Sequence, residues 1–394
     1  MSALLLPKFS PQSIFAKLRN GISQSTTARN QINSDFSSPS YNTKQMTLHQ
    51  TDMPLEEQVD FDSLRFMLPP RNIISEKLMD WVREDIPALD VGSSIVGSAP
   101  KRSTIFFKKS ENEGDLPVVV SGIPILTILF ENCFTELTVK WLVKEGDNLS
   151  DATLVENLIS QYGQTLKYPS QSQCSKRKVP IAVVDGPAYQ LLQAERLSLN
   201  ILSHMCGISS ISYRINQLRL QAIKNGGAFR GEIAATRKTT PGLRLFEKYS
   251  VMVGGCKPHR VDLSQMVMLK DNHIDACGGS IAKCVKKAKA LTGLNTQKIE
   301  VECRSIEEAR EAAMAGADII MLDNFNATQA KEASDVLVQE FPNVIIEVSG
   351  GLNPTTVLPY LELCGNVHVL SMGILTEGGG VKVDFSMKIT ESLD

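Results

Sequence analysis

Between residues 61 and 200 the apolar positions fall in short runs bounded by polar turns. The runs are rich in Val, Ile and Phe, which is typical of β-strands, and an amphipathic helix is predicted at Glu76–Arg83. The predicted strands are Ser103–Phe107, Leu116–Ser121, Leu137–Val143 and Val179–Val184. Residues 167–178, with repeated Ser and Gln, are predicted to form a surface loop. Together these features predict a smaller α+β domain built on an antiparallel sheet.

A long helix is predicted next, from Ala188 to Ile223, with an interruption near Gly207. After Gly231 the pattern changes to short apolar strands that alternate with helices about six times. The predicted strands are Ile233–Thr236, Met266–Leu269, Ile299–Val301, Ile319–Leu322, Val344–Val348 and Val367–Leu370. The predicted helices are Ile281–Leu291, Ile306–Ala315, Ala327–Glu340 and Thr355–Leu363. Since successive parallel strands require such crossovers, this half is either a (β/α) barrel or a doubly wound sheet.

Polar or glycine residues follow these strands, and their positions distinguish the two folds. They are Arg237 and Lys238, Lys270, Glu302, Asp323, Ser349 with Gly350 and Gly351, and Ser371 with Gly373. In a (β/α) barrel the carboxyl ends of all strands meet at one site, whereas a doubly wound sheet gathers only those near its switch point. The pattern therefore favours the barrel.

The composition is that of an ordinary globular protein, and it excludes several function classes. The 394 residues include 41 Lys and Arg against 43 Asp and Glu, so a net charge of −2 gives no reason to expect nucleic-acid or membrane-surface binding. The longest apolar run, Val118–Phe130, is interrupted by Gly122 and Pro124 and is too short to span a bilayer. The 8 Cys occur singly, so reduced thiols are expected rather than a zinc site or disulfides.

The first 60 residues lack sustained periodicity and are rich in Ser, Thr, Asn and Gln, so we expect an extension that does not fold alone. Its early part has basic residues and no acid before Asp35, which is typical of a transit peptide. The alternative is a disordered tail ahead of an internal start such as Met46 or Met53. We expect a cytoplasmic location, with the nucleus as a further compartment, or a mitochondrial one if the extension is a transit peptide.

Two groups of side chains at the predicted strand ends indicate what the site binds. The cations are Arg237, Lys238, Arg260 and Lys270, with His259 beside Arg260. Planar guanidinium groups suit carboxylates and phosphates, so this group predicts an anion-binding site. Glu302 and Asp323 end adjacent strands, which is how magnesium is held when substrate phosphates supply the remaining ligands.

Glycines follow the last two strands. The segments Ser349–Gly351 and Gly373–Gly380 allow backbone amides to approach a phosphate closely. The second segment is not a P-loop, because Gly379 follows Gly378 where that motif requires Lys. A site with cations for carboxylates, acids for a metal and amides for a phosphate implies that a phosphorylated substrate meets a carboxylated one.

The segment Thr236–Arg244, TRKTTPGLR, resembles the signature of the quinolinate phosphoribosyltransferase family. The resemblance extends from about Phe61 to Lys388. Further matching segments are Glu247–Tyr249, Gly254-Gly255, His259-Arg260, Leu269–His273, Ala194–Arg196, Leu199-Asn200, Ile299–Glu302, Met321–Asn324, Ser349–Gly351 and Asp384–Ser386. The resemblance implies an enzyme of de novo NAD synthesis. With magnesium, it would make nicotinate mononucleotide, carbon dioxide and pyrophosphate from quinolinate and phosphoribosyl pyrophosphate.

The same resemblance implies the type II phosphoribosyltransferase fold, an α/β fold in which an open (β/α) barrel follows an N-terminal α/β sandwich domain. We expect the extension at 1–60, the sandwich at 61–200 and the barrel at 201–380, with 381–394 packing back on the sandwich. The family assembles as dimers or hexamers in which each barrel is covered by the partner's small domain. A homo-oligomer with shared sites is therefore expected.

Roles at the site follow from the resemblance, position by position. The quinolinate carboxylates would be surrounded by Arg237, Lys238, His259, Arg260 and Lys270, with Thr236 beside them and Arg196 entering from another subunit. Glu302 and Asp323 would face the ribose and the magnesium, which they hold through substrate or water. The 5'-phosphate would be held by Ser349, Gly350, Gly351 and Gly373. The catalytic residues implied are Lys238, Lys270, Glu302 and Asp323.

Three other functions fit parts of the pattern. A class I aldolase would use Lys270 as a Schiff-base lysine, provided that desolvation lowers its pKa. A non-catalytic barrel would bind a phosphorylated metabolite as a sensor. A phosphoribosyltransferase for nicotinate would need fewer cations than one for a dicarboxylate. His204 and His368 lie in apolar surroundings and are predicted to be core residues.

Overall fold

The computed structural model describes residues 61–109, 117–162, 178–292, 297–377 and 382–393. The predicted N-terminal extension, the predicted surface loop except Lys178, and the glycines 378–380 lie outside these ranges. The strands are β1 (Pro100–Lys108), β2 (Thr138–Trp141), β3 (Lys178–Pro187), β4 (Glu232–Ala235), β5 (Val267–Leu269), β6 (Ile299–Cys303), β7 (Ile319–Asp323), β8 (Ile345–Ser349), β9 (Val369–Met372) and β10 (Asp384–Ser392). The helices are α1 (Phe61–Leu64), α2 (Arg71–Asp85), α3 (Val91–Val96), α4 (Ile123–Ile128), α5 (Ala152–Tyr162), α6 (Ala188–Lys224), α7 (Arg244–Val253), α8 (Asp271–Ala276), α9 (Ile281–Thr292), α10 (Ile306–Ala315), α11 (Ala327–Glu340) and α12 (Leu358–Leu363).

The first sheet is antiparallel and has the strand order β10-β1-β3-β2. Its edge strand β10 comes from the end of the chain and pairs with β1, where Phe107 lies opposite Phe385. The inner face packs against α2, α4 and the first half of α6 in a hydrophobic cluster that includes Phe130, Ile181 and Leu202. An antiparallel sheet in this part of the chain is what the apolar pattern predicts, although the contribution of β10 comes from far along the sequence.

The predicted strand at Leu116–Ser121 is wrong for the described residues 117–121. They form an isolated bridge, Val119 with Asn148, and join neither sheet. The amide of Val119 donates to Ser210 Oγ at 2.9 Å and the amide of Val120 to the Asp147 carbonyl at 2.9 Å. Since α6 and a turn supply these acceptors, the apolar segment is buried without a neighbouring strand.

Helix α6 is continuous, so the predicted interruption near Gly207 is also wrong. A single glycine costs a helix interior about 1 kcal/mol relative to alanine. Its neighbours Cys206 and Ile208 are fully buried and pack in the two different hydrophobic clusters of the molecule, Cys206 with the first sheet and Ile208 with the second. Packing on both sides therefore outweighs the cost of the glycine.

The second sheet is parallel and has the order β4-β9-β8-β7-β6-β5, with β4 and β5 as its edges. Each strand agrees with a predicted strand to within two residues. Helices α9 to α12 connect β5 to β9, and their buried faces form the second cluster with Val301, Ile320 and Leu370. This alternation confirms the α/β class predicted from the sequence.

Helix ends in this half follow local capping chemistry. The Ser305 hydroxyl accepts from the Glu308 amide at the start of α10, and Asn326 and Gln329 form a reciprocal capping box at the start of α11. Helix α12 begins at Leu358 rather than at the predicted Thr355. The Asn353 side chain accepts from the Thr355 amide at 2.8 Å, and this turn delays the helix.

No helix in the described ranges is both long enough and apolar enough to cross a membrane. The seven cysteines within these ranges are free thiols, and burial is the main reason that the pKa of the Cys256 thiol is raised to about 12. A raised pKa keeps a thiol protonated and unreactive, in agreement with reduced, structural cysteines.

Candidate active site

The carboxyl ends of the parallel strands bring the predicted site residues to one edge of the second sheet. Asp323, the last residue of β7, lies opposite Ser349, the last residue of β8. Ser349 in turn lies opposite Ser371 on β9. At the outer strand β4, the Thr236 amide donates to the Met372 carbonyl at 3.2 Å. Residues from distant parts of the sequence therefore share this edge because parallel strands align their carboxyl ends.

Two arginines form the first part of the site. Arg260 has 8% of its surface exposed, and burial followed by repulsion from Arg237 lowers its pKa. Its guanidinium contacts only the Met266 carbonyl at 3.4 Å and the Met268 sulfur at 3.1 Å among hydrogen-bond acceptors of the described residues. The Nε of Arg237 is buried without a partner among those residues. Two neighbouring guanidinium groups with unused donors are suited to an anion with two carboxylates.

His259 lies beside the arginines and is held from below by two glutamates of the sheet. Its Nε2 lies 2.8 Å from Glu347 Oε2 and 4.0 Å from Glu300 Oε2, and both glutamates are almost fully buried. Burial, and then the charge of Glu347, raises the pKa of Glu300 to about 9. The backbone of His259 has a φ of 52°, an uncommon conformation for a non-glycine residue. The imidazole is thus fixed in position by its hydrogen bond to the buried Glu347.

The cluster of His259, Glu300 and Glu347 has the composition of a metal site, since its ligand atoms lie within 4.8 Å of one another. Its two glutamates already have protein neighbours that offset or bind them, however. Arg260 attracts both carboxylates, and His259 contacts Glu347 directly. We therefore interpret the cluster as support for the cations above it. Neither glutamate was assigned a role from the sequence. The sequence did contain a signal for them: each is an acidic residue within a predicted apolar strand, where a charged side chain is unexpected.

Lys270, Glu302 and Asp323 form a second part of the site at the ends of β5, β6 and β7. Lys270 Nζ is ion-paired with Glu302 Oε2. Burial, followed by the nearby charge of Glu302, raises the pKa of Asp323. The side chain of Lys270 is 44% exposed. A paired and half-exposed ammonium is not the desolvated amine that a Schiff-base aldolase requires.

Glycines after β8 and β9 lie where side chains would clash. Gly350 has a φ of 105°, and a Cβ there would lie 2.9 Å from the Asn324 amide nitrogen. A Cβ on Gly373 would lie 3.0 Å from Cδ of Lys238, whose carbonyl accepts from the Thr376 hydroxyl at 2.8 Å. Gly350 therefore requires glycine, whereas the close atoms at Gly373 belong to flexible side chains that can move; both glycines leave the backbone accessible, as a phosphate site needs.

Arg196 is the one predicted residue that the fold leaves apart from this edge. It is exposed on α6, and within the described residues it makes no hydrogen bond or ion pair. On the same helix, His204 lines a cavity of about 540 Å³ and contacts the buried Glu247 at 2.9 Å. His204 is thus not an apolar core residue as predicted, whereas burial lowers the pKa of His368 in agreement with its predicted core position.

Comparison with known proteins decides which family this site belongs to. The family model of the quinolinate phosphoribosyl transferase N-terminal domain matches residues 90–206 of this chain, and the family model of the C-terminal domain matches residues 215–388. The chain belongs to the quinolinate phosphoribosyltransferase family.

Relatives that match most of this chain come from distant organisms. The chain is 39% identical to carboxylating nicotinate-nucleotide pyrophosphorylase of Dictyostelium discoideum over 82% of its own length and 97% of the relative's. It is 36% identical to the protein of that name from Homo sapiens, over 84% of this chain and 96% of the relative. Among solved structures, NadC from Streptococcus pyogenes aligns with a TM-score of 0.66 and 31% identity, covering 83% of this chain and 99% of that one. The predicted fold class is thereby confirmed.

Proposed function

We propose that this quinolinate phosphoribosyltransferase family member transfers the phosphoribosyl group of phosphoribosyl pyrophosphate to quinolinate and releases carbon dioxide and pyrophosphate. The product is nicotinate mononucleotide, in de novo NAD synthesis. The observation that carries the proposal is the pair of adjacent guanidinium groups of the buried Arg260 and the partly buried Arg237, with His259 beside them. Two guanidinium groups with an imidazole beside them match a dicarboxylate better than the single carboxylate of nicotinate.

Quinolinate binding uses the cations on the β4 side of the site. Arg237, Arg260 and His259 hold the two carboxylates, while Lys238 approaches from the end of β4 and Lys270 from the end of β5, the two edge strands of the sheet. Removing the carboxylates from water strengthens these contacts, because the surroundings of Arg260 have a low effective dielectric constant. The ring nitrogen is thereby oriented toward the ribose before the reaction begins.

Phosphoribosyl pyrophosphate binding uses the other side. The backbone at Gly350, Gly351 and Gly373, with Ser349, holds the 5'-phosphate, and Glu302 and Asp323 face the ribose. The acidic pair fits Mg²⁺, since two oxygen ligands of like charge are close enough for Glu302 to raise the pKa of Asp323. We propose that the pair would hold Mg²⁺ through water or substrate, and that the metal, when bound, would supply positive charge to stabilise the leaving pyrophosphate.

The reaction then follows from charge. The lone pair of the pyridine nitrogen forms a bond to the anomeric carbon while the bond from that carbon to pyrophosphate breaks, and Lys238 and Lys270 stabilise the departing anion. The nitrogen becomes positively charged, so the ring accepts the electron pair when the bond to the adjacent carboxyl group breaks. Carbon dioxide leaves and a proton takes its place on the ring. No covalent bond to the protein is needed.

We also propose a homo-oligomer, a dimer or a hexamer, in which Arg196 of one subunit completes the site of another. The support is the position of Arg196: it is exposed on α6 and has no partner in the described part of its own chain. The cytoplasmic location, with its nuclear and mitochondrial alternatives, stays a prediction, as do the domain limits.

The test is direct. Purified protein is mixed with phosphoribosyl pyrophosphate, Mg²⁺ and quinolinate labelled in the carboxyl group next to nitrogen. We expect labelled carbon dioxide and nicotinate mononucleotide in equal amounts, and little product when nicotinate replaces quinolinate. Efficient use of nicotinate, or binding of both ligands without product, would instead support the nicotinate enzyme or the sensor.

A further inference from the structure

The ammonium group of Lys248 is buried inside the protein among backbone carbonyls. Lys248 lies on α7 with 2% of its surface exposed. Its Nζ donates to the carbonyl of Ala235 at 2.7 Å, to that of Thr236 at 2.8 Å and to that of Pro258. Three acceptors match the three donors of a protonated amine, so the hydrogen-bonding capacity of the side chain is fully used.

The need for this amine arises where two backbone segments stop pairing. The Lys257 amide donates to the Ile233 carbonyl at 2.8 Å, and the Ala235 amide donates to the Lys257 carbonyl at 2.9 Å. The next donor in a parallel ladder would be the His259 amide, but His259 has a φ of 52° and, among the described residues, its amide makes no backbone hydrogen bond to the Ala235 carbonyl. Carbonyl groups would then be left buried without donors, which is unfavourable because they have lost their hydrogen bonds to water. The Lys248 ammonium replaces the missing donors.

The two segments joined by Lys248 are those that carry the cations of the site. Thr236 directly precedes Arg237 and Lys238, and Pro258 directly precedes His259 and Arg260. We propose that Lys248 is a positioning residue for quinolinate, fixing the distance between these two cation-bearing segments without touching the ligand. This inference rests on the proposed function, because it assigns quinolinate to that pair of segments.

The charges around Lys248 connect it to ligand binding. Burial lowers its pKa to about 7, and repulsion from Arg244, Arg237 and Arg260 adds to this, while Glu247 on the same helix opposes it. A bound dicarboxylate would offset the charge of Arg237 and Arg260. The Lys248 pKa would then rise, and the protein would take up a proton when quinolinate binds at a pH above about 7.

The main experiment measures binding of each substrate to Lys248→Met, which retains the apolar stem and removes the donors. We expect the Kd for quinolinate to rise about 30-fold, since small misplacements of binding groups have effects of that order, and the Kd for phosphoribosyl pyrophosphate to change less than about threefold. The control is Ser250→Ala, a fully buried change two residues along α7 whose hydroxyl contacts Phe246 and Ser121 and neither segment. It should leave both constants unchanged.

A second measurement uses the unmodified protein and is independent of how well the variant folds. Calorimetry of quinolinate binding at about pH 8, in two buffers of different ionisation enthalpy, should show net proton uptake. Equal loss of affinity for both substrates in folded Lys248→Met, unchanged quinolinate affinity, or absence of proton uptake by the unmodified protein would each overturn the positioning role. If the unmodified protein does not bind quinolinate at all, the proposed function fails instead.

Discussion

The two halves of the site differ in how their charges are held. The cationic half, comprising Arg237, His259 and Arg260, lies over buried charges, with Glu347 2.8 Å from the imidazole. The acidic half, comprising Glu302 and Asp323 with Lys270, has an ion pair that is open to solvent on one side, since the Lys270 side chain is 44% exposed and that of Glu302 13%. The cationic half is therefore held by buried residues beneath it, whereas the charges of the acidic half are paired with one another.

This difference indicates which half is formed before substrate arrives. Charges buried beside partners are expensive to move, because separating them leaves an uncompensated charge in a low dielectric. Exposed ion pairs contribute little and exchange readily with other partners. We therefore expect the cationic half to be preorganised for quinolinate. The acidic half should rearrange when the ribose and Mg²⁺ compete for Glu302 and the pyrophosphate competes for Lys270.

Removal of one guanidinium from the cationic half should have the largest effect. We expect Arg237→Ala or Arg260→Ala to lower kcat/KM for quinolinate at least about a hundredfold, because a charge-assisted contact to a buried carboxylate is lost. Steady-state kinetics at saturating phosphoribosyl pyrophosphate measures this. Arg310→Ala, which breaks a half-exposed ion pair with Glu340 between α10 and α11, is the control and should keep full activity. Near-normal kinetics in a folded Arg237 or Arg260 variant would remove the cationic half from the site.

Neutral replacements in the acidic half should affect the other substrate. We expect Glu302→Gln and Asp323→Asn to raise the Kd for phosphoribosyl pyrophosphate with Mg²⁺ about tenfold, since each removes one charge that faces the ribose and the metal. The Kd for quinolinate should change less than about threefold. Asp335→Asn, which breaks a surface pair with Lys331, is the control in equilibrium binding. Loss of quinolinate binding with intact phosphoribosyl pyrophosphate binding would mean that the two halves are assigned in reverse.

The sequence predicted the exposed chemistry of both halves better than the buried support. Arg237, Lys270 and Asp323 follow apolar strands directly, so the periodicity of the chain places them at the carboxyl edge. Glu347 and Lys248 lie within apolar segments, where a charge is visible but its partner is not. The partner of Glu347 is His259, 88 residues away, and such pairing is determined by tertiary structure alone.

The same reason explains the errors in the fold. The segment ending at Ser121 has the composition of a strand, but its amides bond to α6 and a turn. Gly207 has the propensity to end a helix, but packing on both sides of α6 outweighs that propensity. Short-range pattern predicted most elements of the parallel half because each βα unit is local. It was less accurate in the antiparallel half, where β10 pairs with β1 across most of the chain.

A mixing experiment tests whether the site of one chain needs Arg196 from another chain. Arg196→Ala and Lys270→Ala should each be inactive alone. If Arg196 acts on a neighbouring subunit, equal mixing with subunit exchange forms mixed dimers that each contain one intact site. Random pairing then predicts recovery of about a quarter of the normal activity. Mixed dimers that form, as shown by native mass spectrometry, and remain inactive would contradict the shared site.

The smallest expected effect is on stability. It concerns Lys248, the buried residue that joins the two segments of the cationic half. The pKa of Lys248 is lowered from its ordinary value of 10.5 to about 7 in the folded protein. Between these values the unfolded chain binds a proton that the folded chain has released, so the free energy of unfolding should rise with pH through this group and fall as pH drops toward 7. We expect denaturant titrations between about pH 7 and pH 9 to give a more positive slope for the unmodified protein than for Lys248→Met, whose side chain cannot titrate. Ser250→Ala should keep the slope of the unmodified protein. Equal slopes in all three proteins would mean that Lys248 remains charged throughout this range, and the proton uptake expected on quinolinate binding would then need another source.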